Sequence, residues 1–373
     1  MKKVVINASN LHAGGGLQVA ISFIYELSKF NRNDLLPLHV VVSSEVADGL
    51  HRLNASTTVF GLFEVFDSHG IKAFFSDLNE KLKGCDVIFT IFGPNYLRVK
   101  AKYEIVGFAQ LWMLNFSNPI SKDMSFIERN ILRLKFYLQW FFFSRADQYV
   151  VELEHVKSGL VSCKGVDELK VSVVYNTVSS LYENNEKWSF IPIKKKNKEI
   201  SLGLVARDYP HKNIKILPFV GELLERKYDL TVHFYVTLNN VEWSTKEKFF
   251  KRYVTTVGSL LPDQCPSFYE QMDGVIFPSL LECFSATPLE AMAMSKPLFS
   301  SDRGFVKDVC GEYSMYFDPE NPEDIAKKIA EYFHSDTDCS EQLSAARNHA
   351  LNFSSAKGRA EKYLEIIQQH IKD

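Results

Sequence analysis

The feature that most constrains the fold lies between Asp273 and Ser301, where two short apolar runs enclose a polar loop and a compact helical segment. Residues 275–277 have the length and composition of a buried strand, and Pro278 marks its end. Short apolar runs that alternate with helices are typical of a parallel sheet covered on both faces. This stretch therefore predicts an α/β fold.

The helical segment in this stretch has a clear predicted start. Thr287 is expected to be its N-cap, with Pro288 at the first helical position and Glu290 three residues on, so that Thr287 and Glu290 form a capping box. The first turn of a helix leaves backbone N–H groups unpaired, and the helix dipole is positive there. The loop and the helix start therefore predict an anion-binding site.

The same alternation continues along the chain of 373 residues, which is too long for one ordinary core. The predicted fold class is α/β, with two Rossmann-like halves on either side of a polar linker. The first domain is predicted over 1–180, the linker over 181–199 and the second domain over 200–350, followed by a helical segment over 351–373. A helix is also predicted over 65–82. The predicted strands are 4–6, 39–42, 86–89, 104–108, 148–151, 171–174, 200–206, 232–237 and 275–277.

Composition and charge exclude several classes of function. The 43 basic and 45 acidic residues give a formal net charge of −2, which argues against a dedicated nucleic-acid surface. The six cysteines are scattered without a C-x-x-C pair, so neither a zinc site nor a disulfide framework is predicted. No apolar run reaches the roughly 18 residues of a membrane-spanning helix, and no signal peptide is recognised. The expected location is the cytoplasm.

The most aromatic part of the chain lies between Phe126 and Arg145, where four cations accompany six aromatic residues over its second half. A helix of this composition could lie on an anionic membrane surface, at the inner face of the cell membrane. It could also pack into the first domain with its cations extended toward water, which is the interpretation we favour from the sequence.

A glycine loop follows the first predicted strand. Gly14, Gly15 and Gly16 do not complete a dinucleotide-binding fingerprint, because Val19 stands where its third glycine belongs. Three glycines nevertheless allow the backbone to approach a ligand closely. The alternative is a flexible turn without a ligand.

Two cations five residues apart, Arg207 and Lys212, follow the strand predicted over 200–206. Ligands bind at the carboxyl ends of parallel strands in such sheets. Arginine offers a planar fork and lysine a mobile point charge, so together they suit a diphosphate. Two solvated loop cations are the alternative.

Two carboxylates, Glu282 and Glu290, are separated by seven residues. One explanation is a loop acid followed by a capping residue. Another places both in one pocket, where one would bind sugar hydroxyls and the other a ribose. A glycosidase also uses paired carboxylates, at a separation that decides its stereochemistry.

Together these parts resemble the retaining glycosyltransferases of GT-B fold, in particular the large family four. The segment from Glu282 to Glu290 is similar to the E-x7-E motif of that family, and Arg207 with Lys212 is similar to its R-x4-K diphosphate grip. The resemblance is strongest over 200–333. Further matches are the glycines at 14–16, the loop at 257–260, the strand end at 277–279 and the F-D-P turn at 317–319.

The resemblance implies a role for each site residue. Glu282 would contact the hydroxyls of the donor sugar, Glu290 the nucleotide ribose, and Arg207 and Lys212 the diphosphate. Such enzymes are generally metal-independent, need no cofactor, and carry two domains facing each other across a cleft, with a final helix that crosses back to the first domain. The remaining donor-binding residues would be Gly15, Gly16, Phe284, Ser285, Ala286 and Thr287.

The sequence departs from the family pattern at several positions. Serines stand at 285 and 295, where the family commonly has glycine, and Ala206 replaces a glycine that often precedes the arginine. Residues 106–112 lie where many members carry a histidine near the reacting sugar, and Gln110 in that segment could donate a hydrogen bond there. These departures concern the acceptor side more than donor binding.

The function implied is the retaining transfer of a sugar, a hexosyl group, from a nucleotide-diphosphate sugar to a hydroxyl of a glycan or a lipid-linked glycan. The process expected is bacterial surface polysaccharide synthesis, with no metal and no nucleic acid as partner. Three alternatives are a sugar-nucleotide epimerase of the same architecture, a hydrolase that uses Glu282 and Glu290, and a non-catalytic protein that binds nucleotide sugars.

Overall fold

The computed structural model describes residues 2–30, 37–114, 118–122, 124–195, 198–335 and 337–371. The chain divides into two units. The first unit comprises residues 1–116, 124–176 and 355–373, and the second comprises residues 117–123 and 177–354. Each unit contains one parallel sheet flanked by helices, which confirms the predicted α/β class with two Rossmann-like domains.

The first unit contains a sheet of seven parallel strands in the order β3-β2-β1-β4-β5-β6-β7. The order reverses direction between β1 and β4, so that the loops after these two strands diverge around a crevice. The strands are β1 (Val4–Ala8), β2 (Leu38–Val42), β3 (Leu62–Val65), β4 (Val87–Thr90), β5 (Tyr103–Gly107), β6 (Gln148–Val151) and β7 (Val171–Val173).

The second unit contains a sheet of six parallel strands in the order β10-β9-β8-β11-β12-β13. Here the order reverses between β8 and β11, which are paired with Gly274 opposite Leu202. The strands are β8 (Ile200–Leu204), β9 (Val232–Val236), β10 (Val254–Thr256), β11 (Gly274–Phe277), β12 (Leu298–Ser301) and β13 (Met315–Phe317).

Helices connect and cover these strands, and short 3-10 turns extend several loops. The α-helices are α1 (Gly14–Leu27), α2 (Ser44–Arg52), α3 (Leu78–Lys81), α4 (Pro119–Lys122), α5 (Phe126–Phe143), α6 (Glu154–Lys164), α7 (Leu217–Tyr228), α8 (Asn240–Ser244), α9 (Lys248–Tyr253), α10 (Cys265–Glu270), α11 (Thr287–Ala293), α12 (Gly304–Cys310), α13 (Pro322–His334), α14 (Ser340–Asn352) and α15 (Ala356–Gln369).

Apolar side chains on both faces of the first sheet explain why its strands are continuous apolar runs. Val4 and Ile6 join a core with helices α1 and α15, whereas Val5 lies in a separate core with Leu78 and Leu82. Successive strand residues point to opposite faces, so each face needs its own apolar cover. The last helix completes one of these covers, because Tyr363 of α15 packs edge-on against Phe23 of α1, with ring centroids 4.9 Å apart.

The helix predicted over 65–82 is wrong. Strand β3 ends at Val65, and the segment that follows contains a 3-10 turn (Gly70–Phe75) and the short helix α3. Strand β3 lies at the edge of the sheet and is half-exposed along its length, so it lacks the continuous apolar run that marks the inner strands.

Candidate active site

The loops after β8 and β11 meet at the point where the strand order of the second sheet reverses. The backbone N–H of Leu280 donates to the carbonyl of His211 at 2.7 Å, and the Thr287 hydroxyl lies 3.4 Å from the carbonyl of Val205. These bonds join the loop after β11 to the loop after β8. In doubly wound sheets this crevice is where ligands bind.

A third loop is fastened to the same region. Asn213 adopts a left-handed conformation with φ of 54°, which ends the 3-10 turn Pro210–Lys212. Its buried side chain donates to the carbonyl of Pro319 at 2.7 Å. The turn that carries Lys212 is therefore held by the segment that follows β13, within the F-D-P turn noted in the sequence.

The structure brings Lys212 and Glu282 together. The Lys212 Nζ lies 2.7 Å from the Glu282 Oε1, and their side chains are only 14% and 8% exposed. The same ammonium lies 5.6 Å from the ring centroid of Phe277, at the end of β11. A partly buried ion pair thus occupies the crevice, with Phe277 beneath it.

Arg207 has a different environment. It lies on the loop after β8, its side chain is 52% exposed, and its Nε donates to the Glu242 Oε1 at 2.8 Å. This bond raises the pKa of Arg207 above its already high value. Glu242 also forms a capping box with Asn239 at the start of α8, so the position of the guanidinium is set by a helix cap.

Sequence reasoning missed Glu242, although the N-x-x-E pattern from Asn239 is a recognisable capping signal. It also missed the partners of Glu290. The Tyr269 hydroxyl donates to the Glu290 Oε2 at 2.9 Å, and Tyr182 faces the same carboxylate from the segment after β7.

The predicted capping box of Thr287 and Glu290 is wrong. Helix α11 begins at Thr287, its N-cap is Ala286, and no side chain caps it. The carboxylate of Glu290 points instead toward Tyr269, and burial raises the pKa of Glu290 despite the hydroxyls that face it. Thr287 is the first helical residue rather than the cap, and its hydroxyl donates to the carbonyl of Val205 at 3.4 Å.

Backbone donors are present in the loop between β11 and α11. Phe284, Ser285 and Ala286 are half-buried. Within the part of the chain that the structure describes, their N–H groups donate to no protein acceptor. Such N–H groups, which follow Glu282 in the same loop, can bind an anion.

Gly15 and Gly16 lie in the first unit, where helix α1 begins at Gly14. A side chain on Gly15 would meet no atom within 4 Å, whereas one on Gly16 would approach Leu11 at 3.3 Å. Packing within this unit therefore explains Gly16 but does not require a glycine at 15. Open space above Gly15 is consistent with the close approach of a ligand.

The loops after β1 and β4 line a small cavity at the reversal point of the first sheet. Asn10 and Asn95 are among its lining residues, and the Asn10 Oδ1 and the Asn95 Nδ2 are buried without a hydrogen-bond partner among the described residues. One is an acceptor and the other a donor, which is the pair that a hydroxyl group satisfies. Gln110, half-buried, precedes the 3-10 turn after β5.

Three groups of metal-ligand type also lie in the first unit. His12, Glu45 and Asp67 have ligand atoms within 4.8 Å of one another. However, His12 directs Nδ1 to Glu45 at 2.8 Å and Nε2 to the carbonyl of Ser68 at 2.9 Å. Both contacts are to acceptors, so the ring is best satisfied as an imidazolium that donates twice, and these contacts raise the pKa of His12 against the opposing effect of burial.

Fold and crevice together define the class: two Rossmann-like domains, as in proteins of GT-B fold, with a cationic loop at the reversal point of the second sheet. Residues 184–349 match the family model described as "Glycosyl transferases group 1". A curated relative, the O-antigen chain mannosyltransferase RfbU of Salmonella typhimurium strain LT2, is 27% identical over 173 residues. That match covers 44% of this chain and 45% of the relative, so the chain spans less than half of the relative it matches.

Solved structures resemble the whole chain. A glycosyltransferase from Rickettsia africae aligns with a TM-score of 0.69 at 17% identity, covering 100% of this chain and 99% of the other. The sucrose-phosphate synthase from Thermosynechococcus elongatus gives 0.68 at 13% identity over all of both chains. HepE from Anabaena, in complex with UDP, gives 0.62 at 14% identity, also over all of both chains. These likenesses establish the fold.

Proposed function

We propose that the protein is a glycosyltransferase that moves a sugar from a nucleotide-diphosphate sugar to a hydroxyl of a glycan or lipid-linked glycan. The observation that carries the proposal is the pairing of Lys212 with Glu282, 2.7 Å apart, at the reversal point of the second sheet. This pair lies within the segment that matches the glycosyl transferases group 1 model. HepE from Anabaena, which has a similar structure, forms complexes with UDP and with UDP and glucose.

In this proposal the second unit binds the donor. Lys212 has three donor hydrogens and can contact a phosphate oxygen while it remains bonded to Glu282. Arg207 would add a planar fork from the same loop, and the N–H groups of Phe284, Ser285 and Ala286 would meet the sugar and diphosphate.

The two carboxylates have separate tasks. Glu282 would accept hydrogen bonds from hydroxyls of the donor sugar, because a carboxylate offers about four acceptor positions and Lys212 uses only part of them. Glu290 would contact the ribose, in competition with the hydroxyl of Tyr269. Gly15 and Gly16 would provide a backbone surface for the diphosphate.

Arg207 and Lys212 would stabilise the charge that develops on the leaving diphosphate, which is the task that a metal ion performs in other transferases. We propose retention of configuration by displacement on the front face of the sugar. The leaving phosphate oxygen would take the proton from the acceptor hydroxyl as the new glycosidic bond forms and the old bond breaks. No protein nucleophile and no resident metal are needed in this scheme.

The acceptor would bind the first unit. Gln110, half-buried before the 3-10 turn after β5, would offer an amide to the acceptor hydroxyl. The O-antigen mannosyltransferase among the relatives favours surface polysaccharide synthesis as the process. We place the reaction in the cytoplasm, where nucleotide sugars would be available to it.

The test is transfer activity with a panel of nucleotide sugars and glycan acceptors. Arg207→Ala, Lys212→Ala and Glu282→Ala should each lower kcat by at least roughly 100-fold, because each removes charge or hydrogen bonding at the reacting centre. Arg226→Ala, on an exposed arginine of α7, is the matched control and should leave the rate unchanged. Near-normal activity in all three variants would refute the site assignment.

Product analysis separates the alternatives. An epimerase would change the donor sugar without any acceptor, a hydrolase would release sugar from a glycan without nucleotide, and a binding protein would turn nothing over. The anomeric configuration of the product, read by NMR, tests retention directly.

A further inference from the structure

Helix α5 exposes an unusually apolar face. Seven of its large apolar side chains are between 52% and 78% exposed. We call this set the α5 stripe: Phe126, Ile127, Ile131, Leu134, Tyr137, Leu138 and Phe141. Contiguous exposed apolar patches of this kind on a folded domain mark interaction surfaces.

The stripe is continuous on one side of the helix. At about 100° per residue, its seven members fall within an arc of about 140°. Phe136 and Phe143 on the opposite side are buried in the first unit, and so is Phe142, which lies about 20° beyond one edge of the arc. Phe142 contacts Tyr96 and Phe143 contacts Phe108, each with ring centroids 4.9 Å apart.

The helix is therefore fixed by one face while the other face is exposed. Its start is also secured, because Ser125 and Glu128 form a capping box with bonds of 3.3 Å and 2.9 Å. The stripe is exposed because α5 has two apolar faces and only one of them packs against the first unit.

Cations border the stripe on both edges. Arg133 precedes the arc by about 20° and Lys135 follows it by about 40°, and both are exposed. Arg129 adds a third cation on the side of Arg133, against the single carboxylate of Glu128. Basic residues that flank an apolar arc are the arrangement of a helix that lies in the plane of a membrane surface.

We propose that α5 binds an anionic lipid surface, with the α5 stripe inserted between the headgroups and Arg133 and Lys135 against lipid phosphates. The charges argue against a second copy of the chain as the occupant, because stripe-to-stripe contact would bring cationic borders together. This inference does not depend on the proposed reaction. It explains why the sequence is aromatic and basic at the same segment.

Flotation with vesicles tests the inference. The full chain should float with vesicles of phosphatidylcholine containing 30% phosphatidylglycerol, and at least roughly tenfold less with pure phosphatidylcholine or at 0.5 M salt. The triple variant Ile131→Gln, Leu134→Gln, Leu138→Gln should lose binding roughly tenfold or more, since it removes the apolar centre of the stripe. The double variant Arg133→Glu, Lys135→Glu should lose it to a similar extent.

Matched controls change the same residue types elsewhere. Val241→Gln with Leu261→Gln replaces apolar residues that are 75% and 62% exposed in the second unit. Lys327→Glu with Lys328→Glu reverses two exposed charges on α13. Both controls should float like the unmodified chain. Thermal unfolding checks that the stripe variants remain folded.

Three results would overturn the proposal. One is the absence of flotation with anionic vesicles. Another is binding that the charge reversal at Arg133 and Lys135 does not weaken. The third is a stable dimer in sedimentation experiments that the triple variant dissociates, with no lipid binding, which would assign the stripe to self-association.

Discussion

At the scale of single residues, the ion pair of Lys212 and Glu282 loses solvation free energy on burial but keeps two charged groups available for ligand binding. Both charged groups lose most of their hydration, because their side chains are only 14% and 8% exposed. Each charge is compensated by its partner, 2.7 Å away. Net stabilisation from such pairs is small, because desolvation offsets the attraction. Loss of one partner leaves an uncompensated charge in the crevice. A pair that stabilises little is more easily explained by ligand binding.

This view predicts the outcome of a double-mutant cycle. Lys212→Met or Glu282→Gln alone should lower the free energy of unfolding by about 3 kcal/mol, whereas the combined variant should lose clearly less than the sum. All three should lack transfer activity. Urea unfolding measures the stabilities. Strictly additive losses would show that the two side chains do not stabilise each other.

Glu290 is distinguished by its partner rather than by its place on the helix. Tyr269 is wholly buried and donates to its carboxylate at 2.9 Å, and burial raises the pKa of both groups. A glutamine at 290 can still accept the tyrosine hydrogen through its carbonyl oxygen. The fold and the proposed ribose contact can therefore be separated by experiment.

We expect the free energy of unfolding of Glu290→Gln to lie within about 1 kcal/mol of that of the unmodified chain, and its KM for the donor to be roughly tenfold higher. Tyr269→Phe removes one of the two tyrosine hydroxyls that face the buried carboxylate, so it should lower the free energy of unfolding by about 1 to 3 kcal/mol. Denaturant unfolding and donor-dependent kinetics supply the two readouts. A Glu290→Gln variant that loses stability but keeps its KM would reduce Glu290 to a structural role.

At the scale of elements, helix α15 is tied to the first unit by a buried polar network. Arg359 of α15 donates to Ser22 of α1 at 2.7 Å and also to Asn176. The Asn176 amide donates in turn to the Glu152 Oε1 at 2.8 Å. Burial raises the pKa of Glu152 to about 7, although Arg359 and Asn176 act in the opposite direction.

The sign of the resulting pH dependence follows from linkage. The folded state holds the Glu152 proton more tightly than the unfolded state does, because the pKa of Glu152 in the unfolded chain lies near 4.5. The contribution of Glu152 to stability is therefore greatest below about pH 4.5 and is lost as pH rises toward 7, by about 3 kcal/mol in total. Glu152→Gln should remove this loss.

Urea unfolding at pH 5 and pH 8 measures the effect. The gain of Glu152→Gln over the unmodified chain should be larger at pH 8 than at pH 5. Glu154→Gln, at an exposed position at the start of α6, serves as the control. Equal differences at the two pH values would contradict the assignment of the titrating group.

Elements differ in how well the sequence predicts them. Inner strands such as β1 and β11 are continuous apolar runs because both of their faces are covered, so periodicity identifies them. The edge strand β3 has no such run, so the sequence predicts no strand over 62–65, and the helix predicted over 65–82 overlaps β3 only at Val65. Likewise, the sequence contains a capping pattern at Thr287, but the carboxylate of Glu290 is buried and binds the hydroxyl of Tyr269 instead of the helix start.

At the scale of the molecule, the two units match known proteins to different extents. The family model covers residues 184–349, which lie in the second unit. The proposal of donor binding at that unit rests on short motifs that are visible in the sequence. The contact between Lys212 and Glu282, 70 positions apart, was not, because it depends on the strand order that places β8 beside β11. The exposure of the α5 stripe could not be predicted either, because composition does not tell which face of a helix is covered.

A nucleotide screen tests the proposed division of labour. Each unit has its own core, so heating is expected to give separable transitions. A nucleoside diphosphate at 100 times its Kd stabilises the unit that binds it by about 2.7 kcal/mol, which corresponds to roughly 5–10 °C for a domain of this size. The transition of the second unit should shift, and Lys212→Met should abolish the shift. The pH-dependent change in Glu152→Gln identifies the transition of the first unit. A nucleotide that shifts only this transition, or no response to any nucleoside diphosphate, would contradict donor binding by the second unit.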